Sequence, residues 1–160
     1  MIKSFLYIVI IISFIGSSCK SSGSAAESEP RKIPEDFSLM MKRTGCHGEC
    51  PIYEVAVSAD GTVLFQGEAF VEMKGRYTKT VDVETLGALI SELKKADFWS
   101  LNEKYDNPQI MDLPSCTITC NMDGKSHTVL NRFDAPEKLD NLQTKIDEII
   151  GKEGFQKVTK

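Results

Sequence analysis

The sequence predicts an α+β fold, in which an antiparallel sheet is built from two hairpin-plus-helix units with both helices on one face. Two segments with alternating apolar residues end at Asp-Gly turns, at positions 60–61 and 123–124, which is typical of β-hairpins. Each hairpin unit is followed by apolar residues at helical spacing. Apolar residues make up 41% of the chain and charged residues 26%, values typical of a globular protein.

The first unit is predicted to contain a sheet and then a helix. Its strands are expected at residues 38–42, 51–58, 62–66 and 69–81, the last with a turn or bulge at 74–75. Asp82 is the expected N-cap of the helix, because an Asp carboxylate there accepts a free backbone N–H. The buried stripe of this helix is predicted to consist of Leu86, Leu89, Ile90 and Leu93.

The second unit repeats this order after a polar loop at 102–114. Strands are predicted at 115–122 and 125–130. The spacing of Asp134 and Glu137 predicts a capping box, and Gly151 is expected to end the helix. The predicted buried stripe of this helix is Leu139, Leu142, Ile146, Ile149 and Ile150, whereas Asp140, Asp147 and Glu148 are expected on its exposed face.

The N-terminus has the pattern of a bacterial lipoprotein signal. Lys3 precedes an apolar run of 11 residues, and small residues then lead directly to Cys19. We therefore expect a signal peptide at 1–18, a lipidated Cys19 followed by a flexible tether to residue 36, one domain at 37–151 and a C-terminal tail at 152–160. The expected location is the bacterial cell envelope, at the outer membrane, with acyl chains on Cys19 holding the protein to the membrane.

Charge and motifs exclude several classes of function. Removal of Lys3 with the signal leaves 18 of the 19 basic residues and all 23 acidic residues. A mildly acidic domain without a basic stripe argues against binding nucleic acid. Because the chain has no glycine-rich phosphate loop, G-x-S-x-G or H-E-x-x-H motif, we predict no catalytic residue and no cofactor.

Four cysteines remain after Cys19, and export makes disulfide pairing the default. Glycines beside Cys46 and Cys50 permit bends that bring the two within bonding distance. Cys116 and Cys120 lie on one face of a predicted strand, about 13 Å apart, so they are expected as core residues that do not bridge each other. A bridge from Cys46 or Cys50 to one of them is the alternative.

The segment Cys46-His47-Gly48-Glu49-Cys50 also permits a second interpretation. Thiolates and an imidazole together suit zinc or copper, so the rival function is a metal-binding or thiol-redox protein that uses Cys46, His47 and Cys50. The segment lacks C-x-x-C spacing and has only one other histidine, His127, as a possible further ligand. We therefore assign no metal ligand and favour a structural disulfide loop.

The same residues carry a family resemblance. The chain contains Arg43-x-x-Cys46-x-Gly48-x-Cys50-Pro51-x-Tyr53, and further matching positions are Asp60-Gly61, Tyr105, Asp112-x-Pro114, Lys125 and the pattern Pro136-x-x-Leu139-x-x-Leu142-x-x-x-Ile146-Asp147. Over about residues 37–150 it resembles an uncharacterised domain family of bacterial envelope lipoproteins. The resemblance implies a Cys46–Cys50 loop and core roles for the later two cysteines, and it implies no activity.

The predicted function is a lipid-anchored, non-enzymatic binding or interaction module, whose partner is an unidentified envelope protein or ligand. A tether, an anchor and a rigid loop together suit the presentation of a binding surface. Its candidate residues are Arg43, His47, Glu49, Tyr53, Tyr105 and Asp112. Asp112 of this surface, and Asp106 in the same polar loop, are the candidate partners of Arg43.

Overall fold

The computed structural model describes residues 32–159, which form one sheet and two α-helices. The predicted signal, Cys19 and the tether up to residue 31 lie outside the described residues. The strands are β1 (Ser38–Arg43), β2 (Ile52–Ser58), β3 (Thr62–Ala69), β4 (Gly75–Thr80), β5 (Lys104–Tyr105), β6 (Cys116–Met122), β7 (Lys125–Asn131) and β8 (Gln156–Lys157). The helices are α1 (Val83–Lys95), α2 (Glu137–Ile150) and a 3₁₀ turn at Phe98–Ser100.

The sheet has the strand order β5-β7-β6-β1-β2-β3-β4-β8 and confirms the predicted α+β class. Every pair of neighbours is antiparallel except β5 and β7, which run parallel. β1 lies between β2 and β6 and so joins the two hairpin units into one sheet. The two Asp-Gly turns connect β2 to β3 and β6 to β7, as predicted.

One core connects the sheet and the helices. Alternate residues of the central strands are buried, including Met41, Val55 and Ile118. The predicted stripe of α1 is buried, and the stripe of α2 is buried except for the partly exposed Ile149. The helices contact each other, and their stripes join the strand residues in a single cluster. In the part of the chain that the structure describes, neither helix is both long and apolar enough to cross a bilayer.

The two helices begin differently. Asp82 caps α1 as predicted, because its Oδ1 accepts the N–H of Thr85 at 2.8 Å. The predicted capping box of α2 is wrong: its N-cap is Pro136, without a side-chain hydrogen bond. Asp134 has a φ of 56° and therefore turns the chain two residues before the cap. At the other end Gly151, with a φ of 61°, terminates α2 as predicted.

Two segments differ from the sequence-based expectation. The strand predicted from residue 69 begins only at Gly75, because Phe70 has a φ of 53° and turns the chain out of β3 into a loop at 70–74. The residues predicted as a tail contain β8, which pairs with β4. Phe155 packs against the core just before β8 and so ties this segment to the domain.

Candidate functional site

A row of side chains crosses the sheet where the central strands extend past the apolar core. In register, Tyr105 pairs with Asn131, Asn131 with Cys116, Cys116 with Arg43, and Arg43 with Tyr53. Directly paired residues of an antiparallel sheet point to the same face. Arg43 lies two residues beyond the core residue Met41, so the row continues the buried face of the sheet with polar groups.

The second helix meets this row with polar residues of its own. Asp140, Gln143 and Asp147 lie at helical spacing, so they share one side of α2. Asp140 accepts a hydrogen bond from Asn131 Nδ2 at 2.7 Å. Asp147 binds Arg43 and Tyr53, and Gln143 lies between the two carboxylates in sequence. Asp140 and Glu148 are exposed as expected, and Asp140 forms its hydrogen bond at the surface. The expectation is wrong for Asp147, which is partly buried and binds two side chains of the sheet.

Arg43, Tyr53 and Asp147 form a closed ring of hydrogen bonds, which we call the Arg–Tyr–Asp cluster. Arg43 donates from Nε to the Tyr53 hydroxyl at 2.8 Å and from Nη2 to Asp147 Oδ2 at 2.9 Å. The Tyr53 hydroxyl donates to Asp147 Oδ1 at 2.5 Å. Side-chain exposure is 25% for Arg43 and 38% for Asp147, so the ion pair is partly shielded from water.

Burial and the hydrogen bond to Asp147 keep the Tyr53 hydroxyl protonated. Burial raises the pKa of Tyr53 well above its ordinary value, and the hydrogen bond to Asp147 raises it further. The Tyr53 ring stacks on Phe65 with centroids 5.4 Å apart, which fixes the orientation of the hydroxyl. The cluster is therefore an ion pair between Arg43 and Asp147 that is bridged by a protonated tyrosine hydroxyl.

The predicted disulfide is present. Cys46 is bonded to Cys50, with the two Cα atoms 5.7 Å apart, so neither sulfur is available as a thiolate in this state. The loop between them is exposed and carries His47, whose Nε2 lies 3.5 Å from Asp112 Oδ2. Glu49 is exposed on the same loop. The bond holds the start of β2 close to the end of β1.

The two later cysteines are buried free thiols, as predicted. Burial raises the pKa of both Cys116 and Cys120 to about 12, so both are protonated at neutral pH. Since a thiolate is the reactive form of cysteine, these two residues contribute to packing and not to chemistry.

A second arginine lies at the end of β7. Arg132 donates to Asp106 Oδ1 at 2.8 Å and to the carbonyl of Ile110 at 2.9 Å. Lys104 also contacts Asp106, at 3.1 Å, and the hydrogen bonds from these two cations hold the pKa of Asp106 below its ordinary value. The predicted pairing of Arg43 with Asp106 or Asp112 is therefore wrong: the first binds Arg132 and the second lies against His47.

Tyr105 is separate from the cluster, although it belongs to the same row of the sheet. Its hydroxyl accepts the N–H of Asn102 at 3.1 Å, and its carbonyl accepts the N–H of Arg132 at 2.9 Å. Tyr105 therefore supports the loop that positions Arg132. Of the predicted surface residues, the structure brings Arg43 together with Tyr53 and His47 together with Asp112, as two separate pairs.

One side of the cluster borders a pocket of about 240 Å³, which we call the polar pocket. It lies between the disulfide loop, the ends of β1 and β7, the start of β6 and α2. Its lining comprises Arg43, Thr44, Cys50, Pro51, Pro114, Ser115, Cys116, Asn131, Arg132 and Gln143. Gln143 is only 5% exposed, and its Nε2 has no hydrogen-bond partner among residues 32–159.

The other side borders a cleft of about 370 Å³, which we call the aromatic cleft. One wall is the loop after β3 and the other is the end of α2. Its lining comprises Pro51, Tyr53, Val55, Phe65, Phe70, Val71, Glu72, Met73, Asp147, Ile150, Gly151, Lys152 and Phe155. Pro51 lines both the cleft and the polar pocket, so the two spaces adjoin.

Phe70 is the most unusual residue of the aromatic cleft. Its backbone has a φ of 53°, a left-handed conformation that is costly for a bulky side chain. Its side chain is nevertheless 52% exposed, so burial in the apolar core does not compensate this cost. Strain of this kind is found preferentially at functional sites.

Sequence reasoning missed three residues of this region, namely Asp147, Arg132 and Gln143. The position of Gln143 carried a usable signal, because it lies four residues after Leu139 and three before Ile146, within the buried stripe. A polar residue inside an apolar stripe needs a hydrogen-bond partner. The contacts of Asp147 and Arg132 depend on how elements far apart in sequence pack together, which no local pattern encodes.

Within residues 32–159, no group of three or more His, Cys, Asp or Glu side chains has a geometry that could hold a metal ion. Comparison with protein-family models gives a match over residues 37–150 to a family described as a domain of unknown function (DUF6438). A search of curated proteins finds no match to this chain.

Proposed function

The chain belongs to the DUF6438 family, and from the geometry of this domain of unknown function we propose a lipid-anchored protein of the bacterial cell envelope that binds a small ligand with a flat apolar group in its aromatic cleft. The observation that carries the proposal is Phe70, an exposed aromatic side chain held in a strained backbone on the wall of the cleft.

The dimensions of the cleft favour a small ligand. A volume of about 370 Å³ falls within the range of small-molecule sites, which are concave, mostly apolar and supplied with a few polar groups. Four aromatic rings line the cleft, and three of them contact one another: Tyr53 stacks on Phe65, and Phe65 lies against Phe155 with centroids 5.8 Å apart. The fourth is Phe70. A flat apolar group can pack against the exposed surface of such a ring cluster.

The two walls of the cleft are joined by an exposed ion pair. Lys152, after α2, contacts Glu72, in the loop after β3, at 2.9 Å. Both side chains are more than two-thirds exposed, and such surface pairs stabilise a protein by only about 0–1 kcal/mol. Breaking this ion pair to admit a ligand therefore costs little.

The lipid anchor is supported by the sequence and by the disulfide. The apolar run ends in small residues and Cys19, which fits attachment of acyl chains at that cysteine. A disulfide in a small domain is typical of exported proteins, since the cytosol keeps thiols reduced. The tether that follows Cys19 would let the domain reach ligands beyond the headgroups.

Binding in the cleft is tested with the uncharged dye Nile red and the mature chain carrying Cys19→Ser. We expect saturable one-to-one binding, and we expect Phe70→Ser to weaken it about tenfold through lost apolar contact. The matched control is Phe133→Ser, because Phe133 is an exposed phenylalanine that does not line the cleft. Equal effects of the two substitutions, or binding that does not saturate, would contradict the proposal.

The anchor is tested by mass spectrometry of the mature N-terminus from envelope fractions. We expect an acylated Cys19 as the first residue, and Cys19→Ala should release the protein from membranes. An unmodified Cys19, or an unchanged membrane fraction after this substitution, would refute lipid anchoring and leave the test of the cleft intact.

A further inference from the structure

We infer that the polar pocket binds a carboxylate group, held by the Gln143 side-chain amide between Arg43 and Arg132. This site is distinct from the aromatic cleft, and the inference does not depend on what the cleft binds. Three features of the pocket carry it: an unpartnered buried donor, two guanidinium groups whose paired carboxylates do not line the pocket, and a rigid frame.

The first feature is the Gln143 amide. The residue is only 5% exposed, and Nε2 has no hydrogen-bond partner in the described part of the chain. Buried donors without a partner are rare in folded proteins, because they lose their hydrogen bonds to water without replacement. Gln143 lines the pocket, but Nε2 itself is closed off from water. A rotation of the side-chain amide toward the pocket would let a ligand oxygen there satisfy the donor.

The second feature is the charge of the lining. Arg43 and Arg132 both line the pocket, whereas their carboxylate partners, Asp147 and Asp106, do not. Among the described residues, no acidic side chain lines it. The pocket is therefore formally cationic, and a guanidinium group donates to carboxylates in a planar fork.

The number of donors favours a monoanion with two oxygens. The hydrogen bonds of the Arg–Tyr–Asp cluster use Nε and Nη2 of Arg43, and those to Asp106 and Ile110 use both amino groups of Arg132. Arg43 Nη1, Arg132 Nε and the Gln143 amide remain outside these bonds. Because each guanidinium charge is already partly compensated by an aspartate, the pocket suits a carboxylate better than a doubly charged phosphate.

The third feature is the rigidity of the frame. Cys50 is held by the disulfide, and Pro51 and Pro114 fix the backbone on either side. The hydroxyl groups of Thr44 and Ser115 lie 2.9 Å apart, and the Ser115 N–H donates to Thr44 Oγ1 at 3.0 Å. A site that is already ordered loses less conformational entropy when a ligand binds.

The test is a titration of the ¹⁵N-labelled mature chain carrying Cys19→Ser with sodium acetate, followed through the side-chain amide signals of Gln143. We expect a saturable shift that sodium chloride at equal ionic strength does not reproduce. Equal responses to the two salts, or no response to acetate, would overturn the inference whether or not the cleft binds Nile red.

Two peptides then distinguish the source of the carboxylate. N-acetyl-Ala-Ala with a free C-terminus and the same peptide with an amidated C-terminus are each competed against acetate. Competition by the free peptide alone supports a peptide C-terminus as the ligand group. Acetate binding without competition by either peptide supports a small free carboxylate, and equal competition by both peptides contradicts carboxylate recognition.

A pair of variants tests the role of Gln143. Gln143→Met keeps the length of the side chain and removes the amide, so it should weaken acetate binding about tenfold or more. Gln109→Met, at an exposed glutamine outside the pocket, should leave acetate affinity unchanged. Unchanged affinity in Gln143→Met would overturn the inference. Nile red binding should be the same in both variants, which separates this site from the cleft.

Discussion

Tyr53→Phe removes one hydroxyl group from the Arg–Tyr–Asp cluster and leaves the rest of the side chain in place. The hydroxyl accepts from Arg43 at 2.8 Å and donates to Asp147 at 2.5 Å. The phenylalanine ring would retain the stack on Phe65, so no cavity is created. The variant therefore measures how much these two hydrogen bonds contribute to the free energy of unfolding.

The structure sets the expected magnitude. Hydrogen bonds to charged groups contribute about 1.5–3 kcal/mol each when they are well shielded. Two facts reduce the sum: Arg43 and Asp147 keep their direct contact at 2.9 Å, and Asp147 is 38% exposed, so water can replace part of what is lost. We expect Tyr53→Phe to lower the free energy of unfolding by about 2 kcal/mol.

The assay is urea unfolding of the oxidised protein, monitored by circular dichroism at neutral pH. Tyr77→Phe is the matched control, because Tyr77 is a half-buried tyrosine in β4 outside the cluster, and its change should stay within about 0.5 kcal/mol. If the two variants lose equal stability, or if Tyr53→Phe loses none, the cluster does not stabilise the fold as we argue.

The pH dependence of the free energy of unfolding, compared between wild type and Tyr53→Phe, provides a second check on Tyr53. Its pKa is raised in the folded state, mainly by burial, so above about pH 10 the unfolded chain loses this proton first. The associated stability is complete below that pH and is lost as the pH rises through it. The stability difference between wild type and Tyr53→Phe should therefore shrink above about pH 10. A constant difference would show that Tyr53 titrates normally.

Three further predictions concern the loops and the thiols. The double variant Cys46→Ser/Cys50→Ser should have a free energy of unfolding, measured in urea, about 2 kcal/mol lower than wild type, because it lacks a disulfide that closes only a very short loop. Reduced wild type is the control and should lose the same amount. Cys116 and Cys120 should react with a thiol reagent at about pH 8 only after denaturation, and rapid labelling of the folded protein would contradict their burial. Gly67→Ala should prevent the β3–β4 turn from closing, because its Cβ would lie 1.9 Å from a backbone carbonyl oxygen; unchanged thermal unfolding would refute this.

Much of the fold could be predicted because its determinants are local. The Asp-Gly turns, the cap at Asp82 and the stripes of both helices each depend on a few neighbouring residues, and the structure contains them with the single exception of Ile149 in the stripe of α2. The wrong capping box of α2 shows the limit of such patterns. Asp134 has a suitable spacing, but its left-handed backbone places it outside the helix, where its carboxylate does not cap.

The site was only partly predictable, because its contacts join residues far apart in sequence. Arg43 and Tyr53 face each other on neighbouring strands and were identified as surface candidates. Their partner Asp147 lies 104 residues after Arg43, and its position follows from how α2 lies across the sheet. The aromatic cleft likewise depends on the loop at Phe70, where the sequence predicts a strand that turns only at 74–75 and the backbone instead turns at residue 70.

The measurement that tests the proposed function most directly is chemical-shift mapping of the ¹⁵N-labelled mature chain with the uncharged ligand 1-naphthol. Binding in the aromatic cleft predicts that the largest backbone shifts occur at residues 70–73 and 150–155, on the two walls of the cleft. Shifts that centre instead on residues 103–104 and 126–128, in the shallow depression beside β7, or that are spread evenly over the domain, would contradict the account.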